Sequence, residues 1–309
     1  MITITYKELS SLTCDLGFSA RALYSLSNHA SKHYHKTVIP KGSGGERVLH
    51  VPDNFLKAVQ RSIVRNILSH EEVSPYARAY RYGASTLKNA MPHKGHKVIL
   101  KLDIKNFFDS IIYPLVKKKV FPSERFSESN RVLLTLLCMY KDALPQGAPT
   151  SPCISNIIMK DFDNTVGTWC KERNITYTRY CDDLTFSGDF NVDEAKAFVE
   201  AELKKMGFFL NAKKTTVLRD GQKKCVTGIL VNDKINAPLE YRKSIRQAVY
   251  YCKKFGIDEH LKRNGIEKAA EGYLKSLLGR INYVLSIDNT NEEMKGYKAW
   301  AVKQLKKLK

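Results

Sequence analysis

Residues 176 to 187 read TYTRYCDDLTFS, Thr176 to Ser187. Tyr177 to Tyr180 and Leu184 to Ser187 are rich in the aromatic and β-branched residues that suit a pleated, half-buried surface. Neighbouring side chains of a continuous strand point to opposite faces, so Asp182 and Asp183 serve one site only if the chain turns there. Two short strands joined at Cys181-Asp182-Asp183, with the carboxylates at the tip, are therefore predicted. An aspartate pair in a turn is also ordinary turn chemistry, and this pair gains meaning from what the rest of the chain brings to it.

Working outward, KVILKLDI at 97 to 104 is an apolar strand that ends in Asp103 and is followed by Lys105-Asn106-Phe107-Phe108. A third carboxylate beside the hairpin would complete a hard-oxygen site for Mg²⁺. In a two-metal site, with ions roughly 3.5 to 4 Å apart, one activates an attacking hydroxyl and the other stabilises the leaving oxygen. Leu144 to Pro152, LPQGAPTSP, is a loop stiffened by Pro145, Pro149 and Pro152. It can hold Gln146 and backbone groups against a planar or phosphate-bearing ligand, and it equally suits a loop leading into a helix.

The remaining pattern is mixed. The first 30 residues read as helical; His33 to Ile39 and Glu46 to Val51 read as a hairpin around the glycine-rich tip Pro40 to Gly45, and a helix follows Pro52-Asp53. Arg131 to Tyr140, Ser151 to Trp169 and residues 193 to 206 read as helices, and 224 to 231 (KCVTGILV) as a strand. From Tyr241 the chain is mostly helical, with Tyr241, Ile245, Val249, Cys252 and Phe255 as an apolar stripe between basic residues. The sum is an α+β core with a basic helical C-terminal end. No internal repeat or low-complexity tract interrupts it.

Across 309 residues, 43% are hydrophobic and 27% charged, which fits a globular chain with a real core and excludes disorder. Lysine and arginine number 51 against 31 acidic residues, a formal +20, so a polyanion partner is expected. The excess is uneven: residues 1 to 150 carry +11, residues 151 to 200 carry −4 and residues 201 to 309 carry +13, the pattern of a cation site inside a polyanion-binding surface. No run approaches a spanning helix, and MITITYKELSSL lacks the character of a secretory signal, so an intracellular protein with no membrane partner is expected. Seven scattered cysteines without a C-x-x-C pair suggest free thiols. P-loop, H-E-x-x-H and G-x-S-x-G motifs are absent.

Taken together, LDIKNFFDSI, LPQGAPTSP and YCDD resemble the first three catalytic motifs of the reverse transcriptase family, and GFFLNAKKT (207 to 215) and KCVTGILV resemble the next two. The resemblance implies a right-hand polymerase with fingers, an antiparallel palm sheet and a helical thumb: N-terminal helices and fingers over 1–95, palm over 96–235 with part of the fingers inserted, and thumb over 236–309. It implies Asp103, Asp182 and Asp183 as ligands of two Mg²⁺ ions, with the carbonyl of Ile104 as a further ligand. Phe108 falls where the family places a steric gate against a ribose 2′-hydroxyl, and Gln146 where the incoming deoxynucleoside triphosphate is contacted. Lys214 matches a lysine near the leaving pyrophosphate, and Arg47 and Lys41 would grip the triphosphate from the fingers hairpin. Read as residues alone, Phe108 also suits a core, and Lys214 and Lys41 suit solvated charges.

Asn89-Ala90-Met91-Pro92-His93 and Val226-Thr227-Gly228 resemble two short elements of bacterial retron reverse transcriptases, and the chain length agrees with that type. The retron resemblance implies a cytoplasmic bacterial enzyme that binds a cognate non-coding RNA, primes from a 2′-hydroxyl and makes an RNA–DNA product, multicopy single-stranded DNA. It also implies phage defence through a separate effector protein. Asn89, His93, Arg242, Lys243, Arg246, Lys253 and Lys254 are the candidate RNA-binding residues, the last five beside Tyr250 and Tyr251. Cys181 stands where retron enzymes more often have alanine, which puts a thiol beside the metals; alkylation or oxidation is then expected to inhibit. The rival readings are another defence-type reverse transcriptase, abortive-infection-like and able to polymerise without a template, and a non-catalytic RNA-binding protein on a polymerase scaffold.

Overall fold

The structure, a computed structural model, describes residues 5–40, 44–267 and 269–308. Lys41 lies outside them. Packing groups the chain into two compact units, Met1–Ala84 with Val98–Val217, and Ser85–Lys97 with Leu218–Lys309.

In the first unit, β1 (Tyr34–Pro40) and β2 (Glu46–Pro52) form the expected antiparallel hairpin, Val38 facing Val48 and Tyr34 facing Pro52. Asp53 ends it and starts the helix Asn54–Asn66: one carboxylate oxygen accepts the Leu56 N–H at 2.9 Å, and the other lies 2.6 Å from His33 Nδ1. An N-terminal cap of this kind satisfies a backbone donor that the first helical turn leaves open. The helix then buries Leu56, Val59 and Ile63.

β3 (Val98–Asp103), β4 (Thr176–Tyr180), β5 (Asp183–Gly188) and β6 (Thr216–Leu218) make a four-stranded sheet in the order β4-β5-β3-β6, with β5 antiparallel to both of its neighbours. β3 is the apolar run of the sequence because it is buried along most of its length. Its register sets Asp103 opposite Asp183. Helices pack on this sheet through one core that includes Leu56, Leu100, Leu134, Ile154, Val166 and Phe186.

The single helix expected over Ser151 to Trp169 is two, Ser151–Ile158 and Lys160–Glu172. Met159 sits between them with φ −81° and ψ −2°, and a ψ near zero takes the carbonyl out of line with the helix axis. The second helix carries Gly167 against the ring of Tyr76: a Cβ built on Gly167 would lie 2.0 Å from Tyr76 Cε2. Gly167→Ala is expected to lower stability by about 1 to 3 kcal/mol by overpacking, read as a lower melting temperature.

The second unit packs Leu239–Phe255, Ala270–Ile287 and Glu292–Lys307 around Ile245, Val249, Leu277, Ile281, Val284 and Met294. The strand expected over 224 to 231 is instead a small hairpin, β7 (Cys225–Val226) and β8 (Ile229–Leu230). Thr227 and Gly228 both take positive φ, 45° and 80°, so the chain reverses in a two-residue turn. Ser85–Lys97 holds this hairpin. The Thr227 hydroxyl donates to the Thr86 carbonyl at 3.1 Å, Asn89 Nδ2 reaches Thr227 Oγ1 at 3.4 Å, and the Gly95 N–H donates to the Val231 carbonyl at 2.9 Å. Asn89 and His93 are fully buried. Their side chains therefore offer no surface to RNA, and Asn89 supports the Val226-Thr227-Gly228 turn through Thr227. No helix among the described residues is long and apolar enough to cross a membrane.

Candidate active site

The two strands of the quoted hairpin meet at Cys181 and Asp182, and Asp183 already belongs to β5. Cys181 has φ +62°, and Asp182 does not share the positive sign; that is the sign pattern of a II′ turn, where glycine is usual. A side chain in the left-handed region costs about 1 to 2 kcal/mol, so the turn needs external support. The Cys181 carbonyl accepts a hydrogen bond from the Arg179 guanidinium at 3.1 Å, its sulfur accepts one from the Tyr80 hydroxyl at 3.3 Å, and the Asp182 carbonyl accepts the Ile104 N–H at 3.0 Å. The last bond hooks the turn onto the residue after Asp103.

Asp103, Asp182 and Asp183 line one cavity of about 610 Å³ together with Ile104, Arg47, Phe108, Gln146 and Lys214. The sequence thus placed its catalytic candidates in one space, drawn from five separated segments. The loop bearing Gln146 is fixed at both ends: the His50 N–H of β2 donates to the Gln146 carbonyl at 2.8 Å, and Ser151 Oγ donates to the Pro145 carbonyl at 2.7 Å. Gly147, at φ +120°, lets the loop lie against β2, since a Cβ there would come within 3.1 Å of the His50 carbonyl oxygen. Phe108 is half-buried and meets Phe107 edge-on at 5.4 Å, and Phe107 in turn meets Phe208 at 6.1 Å. It is partly core and partly cavity wall. Arg47 is exposed on β2.

The charges are coupled. Asp103 accepts Lys214 Nζ on one carboxylate oxygen at 2.8 Å and Asn211 Nδ2 on the other at 3.2 Å, while its carbonyl accepts the Asn211 N–H at 2.8 Å. This hydrogen bond raises the Lys214 ammonium above its usual range. Burial and then the charge of Asp182 push the Asp183 carboxyl upward, the sign expected where like charges share a low-dielectric wall. Among the described residues no three His, Cys, Asp or Glu side chains form a ready metal-holding group. The donor set nevertheless suits a hard divalent cation, being carboxylate and carbonyl oxygen only, and a cation would relieve the repulsion at Asp183. Asn211 and Tyr80 were not singled out by sequence. Asn211 had a signal, its place in GFFLNAKKT three residues before Lys214; Tyr80 had none.

The expected reactivity of Cys181 is corrected. The residue is buried, and burial together with the charge of Asp182 pushes its thiol up to about 12, so the nucleophilic thiolate is scarce at neutral pH. N-ethylmaleimide at pH 7 is expected to modify exposed Cys14 while leaving Cys181 intact, as read by peptide mass spectrometry; rapid labelling of Cys181 would contradict this.

On the helix Leu239–Phe255, Lys243, Tyr250, Lys253 and Lys254 are exposed. Lys254 lies over the Tyr250 ring at 5.6 Å and Lys253 over Trp300 at 5.7 Å. Arg246 is committed to Glu293 by two bonds of 2.6 and 2.7 Å, and Arg242 is half-buried. The free cationic face is therefore narrower than the sequence suggested.

A family model described as reverse transcriptase (RNA-dependent DNA polymerase) matches residues 39–237. The retron Mx65 reverse transcriptase of Myxococcus xanthus is 34% identical over 258 residues, 76% of this chain and 60% of its own. The retron Ec86 reverse transcriptase of Escherichia coli is 32% identical over 251 residues, 79% of this chain and 72% of its own. This chain therefore spans less than two thirds of the first relative and more than two thirds of the second. Among solved structures, a telomerase from Candida albicans is similar over 87% of this chain and 65% of its own, at 13% identity and a TM-score of 0.47. With residues 39–237 matched by the family model and retron enzymes as its relatives, the chain belongs to the reverse transcriptase family, in its bacterial retron type.

Proposed function

We propose that this protein is an RNA-directed DNA polymerase that copies part of a cognate structured RNA, starting from an RNA 2′-hydroxyl, to give multicopy single-stranded DNA joined to RNA. The observation that carries the reading is the single cavity walled by Asp103, Asp182, Asp183, Phe108, Gln146, Arg47 and Lys214. Two Mg²⁺ ions, when bound, activate the attacking hydroxyl and stabilise the leaving oxygen. Asp103, Asp182 and Asp183, with the Ile104 carbonyl, would hold them. Phe108, backed by Phe107, presents a ring that excludes a ribose 2′-hydroxyl and selects deoxynucleotides. Gln146, on its pinned loop, contacts the incoming nucleotide, and Arg47 supplies a cation for its triphosphate. Lys214 offsets charge on the departing pyrophosphate or donates a proton to it.

In this reading residues 1–95 act as N-terminal helices and fingers, 96–235 as palm and 236–309 as thumb. Lys243, Lys253 and Lys254 beside Tyr250 meet the phosphates and bases of the RNA partner, and a separate effector protein completes a cytoplasmic bacterial defence system. The test is to express the chain with its native flanking DNA, purify it, and digest the co-purifying nucleic acid separately with DNase and RNase. A discrete short DNA attached to RNA supports the reading. DNA of no defined sequence favours untemplated synthesis, and bound RNA with no DNA, even after adding primer, template, deoxynucleotides and Mg²⁺, favours a binding protein.

A further inference from the structure

Arg179 lies in β4, two residues before the catalytic turn, and is fully buried. Its guanidinium meets three groups. Nε and one terminal nitrogen grip the buried carboxylate of Asp163, at 2.8 and 2.6 Å; that same terminal nitrogen donates to Asn156 Oδ1 at 3.1 Å, and the other donates to the Cys181 carbonyl at 3.1 Å. Tyr177 also donates its hydroxyl to Asp163 at 2.9 Å, and Asn156 donates to the Ala79 carbonyl, next to Tyr80, at 2.9 Å. Asn156 and Asp163 belong to the helices Ser151–Ile158 and Lys160–Glu172, which follow the Gln146 loop. A planar five-donor cation is the one side chain that can serve all of these acceptors at once.

A buried ion pair is weak evidence for stability, because desolvation offsets much of the attraction. Apolar residues would fill the same space, so the pair invites a functional explanation. The bond to the Cys181 carbonyl supplies one. It falls on the left-handed residue of the turn, the position where the backbone most needs holding, and the next two residues are the aspartates.

We propose that Arg179 is a positioning residue for DNA synthesis: neutralised by Asp163, it holds the Cys181 carbonyl and thereby the turn that presents Asp182 and Asp183. This rests on the polymerase reading for its catalytic consequence, while the structural part stands without it. Lysine at 179 keeps the charge opposite Asp163 but lacks the fork that reaches Cys181 at the same time. Glycine at 181 takes the same φ without strain, so a turn built on it needs less holding. Arg179 and Cys181 should therefore be coupled.

The experiment compares Arg179→Lys, Cys181→Gly and the double variant in the full chain. Nucleotide incorporation is followed on a primed RNA template with Mg²⁺, and hydrogen exchange is followed at the Ile104 amide, which is bonded to the Asp182 carbonyl. With cysteine at 181, Arg179→Lys is expected to lower kcat about 100-fold with the nucleotide KM little changed, and to speed Ile104 exchange about tenfold. With glycine at 181, the same substitution is expected to lower kcat by about tenfold or less, with a smaller change in exchange. Equal losses in both backgrounds, or a folded Arg179→Lys protein with wild-type kcat and exchange, overturn the proposal. If Arg179→Lys does not melt cooperatively, the neutral pair Asp163→Asn/Arg179→Gln replaces it, and failure of that pair to fold even with glycine at 181 assigns Arg179 to the fold and also overturns the proposal. A wild type that incorporates no nucleotide fails the polymerase reading, while the exchange comparison still decides the role of Arg179.

Discussion

Asp183→Asn is expected to abolish DNA synthesis, by about 1,000-fold or more in kcat, while melting at a higher temperature than the wild type in metal-free buffer at pH 7. The two effects have one cause. Asparagine keeps the shape of aspartate but removes the charge that a cation site needs, and electrostatic groups at such sites carry large shares of the rate. The same charge burdens the fold, because burial and the neighbouring Asp182 raise the Asp183 carboxyl above its usual range. For a group with a raised folded pKa, the favourable contribution exists below the unfolded value and is lost as pH rises through the folded one. At pH 7 the wild type therefore carries the cost and the variant does not. The difference should shrink as pH falls toward about 4, where the ordinary aspartate carboxyl protonates. Saturating Mg²⁺ should stabilise the wild type and leave the variant nearly unchanged. Retained polymerase activity in a folded variant would remove Asp183 from the catalytic set.

Phe108→Ala is expected to reduce discrimination against ribonucleotides about 100-fold, measured as the ratio of kcat/KM for a deoxynucleotide to that for its ribonucleotide. Rejection of a hydroxyl by an apolar wall is typically of this size, and it depends on a wall that does not yield. Phe108 has such backing, since Phe107 meets it edge-on and is itself buried against Phe208. Deoxynucleotide incorporation should change much less. If Phe108 served only the core, the variant would melt earlier and keep its selectivity.

The hairpin at Thr176 to Ser187, the strand ending in Asp103 and the hairpin of β1 and β2 were legible because each depends on local composition and alternation that the backbone obeys. The three aspartates were legible for the same reason: each sits at the end or turn of such a segment. What escaped depends on tertiary contact. Met159 breaks a helix with no proline or glycine to announce it. Thr227 takes a positive φ, which a β-branched residue adopts only when its surroundings insist, and here its hydroxyl is held by Thr86 and Asn89. Asn89 and His93 are polar residues that read as accessible, yet both are buried, and the partner of Asn89, Thr227, lies more than a hundred residues away in sequence. Arg179 and Asp163 lie on different elements, and nothing local marks them as partners. Between the helices Leu239–Phe255 and Glu292–Lys307, the commitment of Arg246 to Glu293 depends on the pairing of the two, so a count of basic residues overstated the free charge.

Ser85–Lys97 has a consequence for how the molecule is made. The ribosome delivers this segment early, between two stretches of the first unit, yet its partners Thr227 and Val231 emerge only after Asp103, the Gln146 loop and the hairpin bearing Asp182 and Asp183 have all been synthesised. Until then Asn89 lacks its Thr227 partner. The nascent chain must carry an unfinished stretch in its middle while the four-stranded sheet forms. Premature termination before Thr227 would therefore leave this early segment exposed to proteases, and a C-terminal fragment expressed alone would lack the piece that closes its own small hairpin.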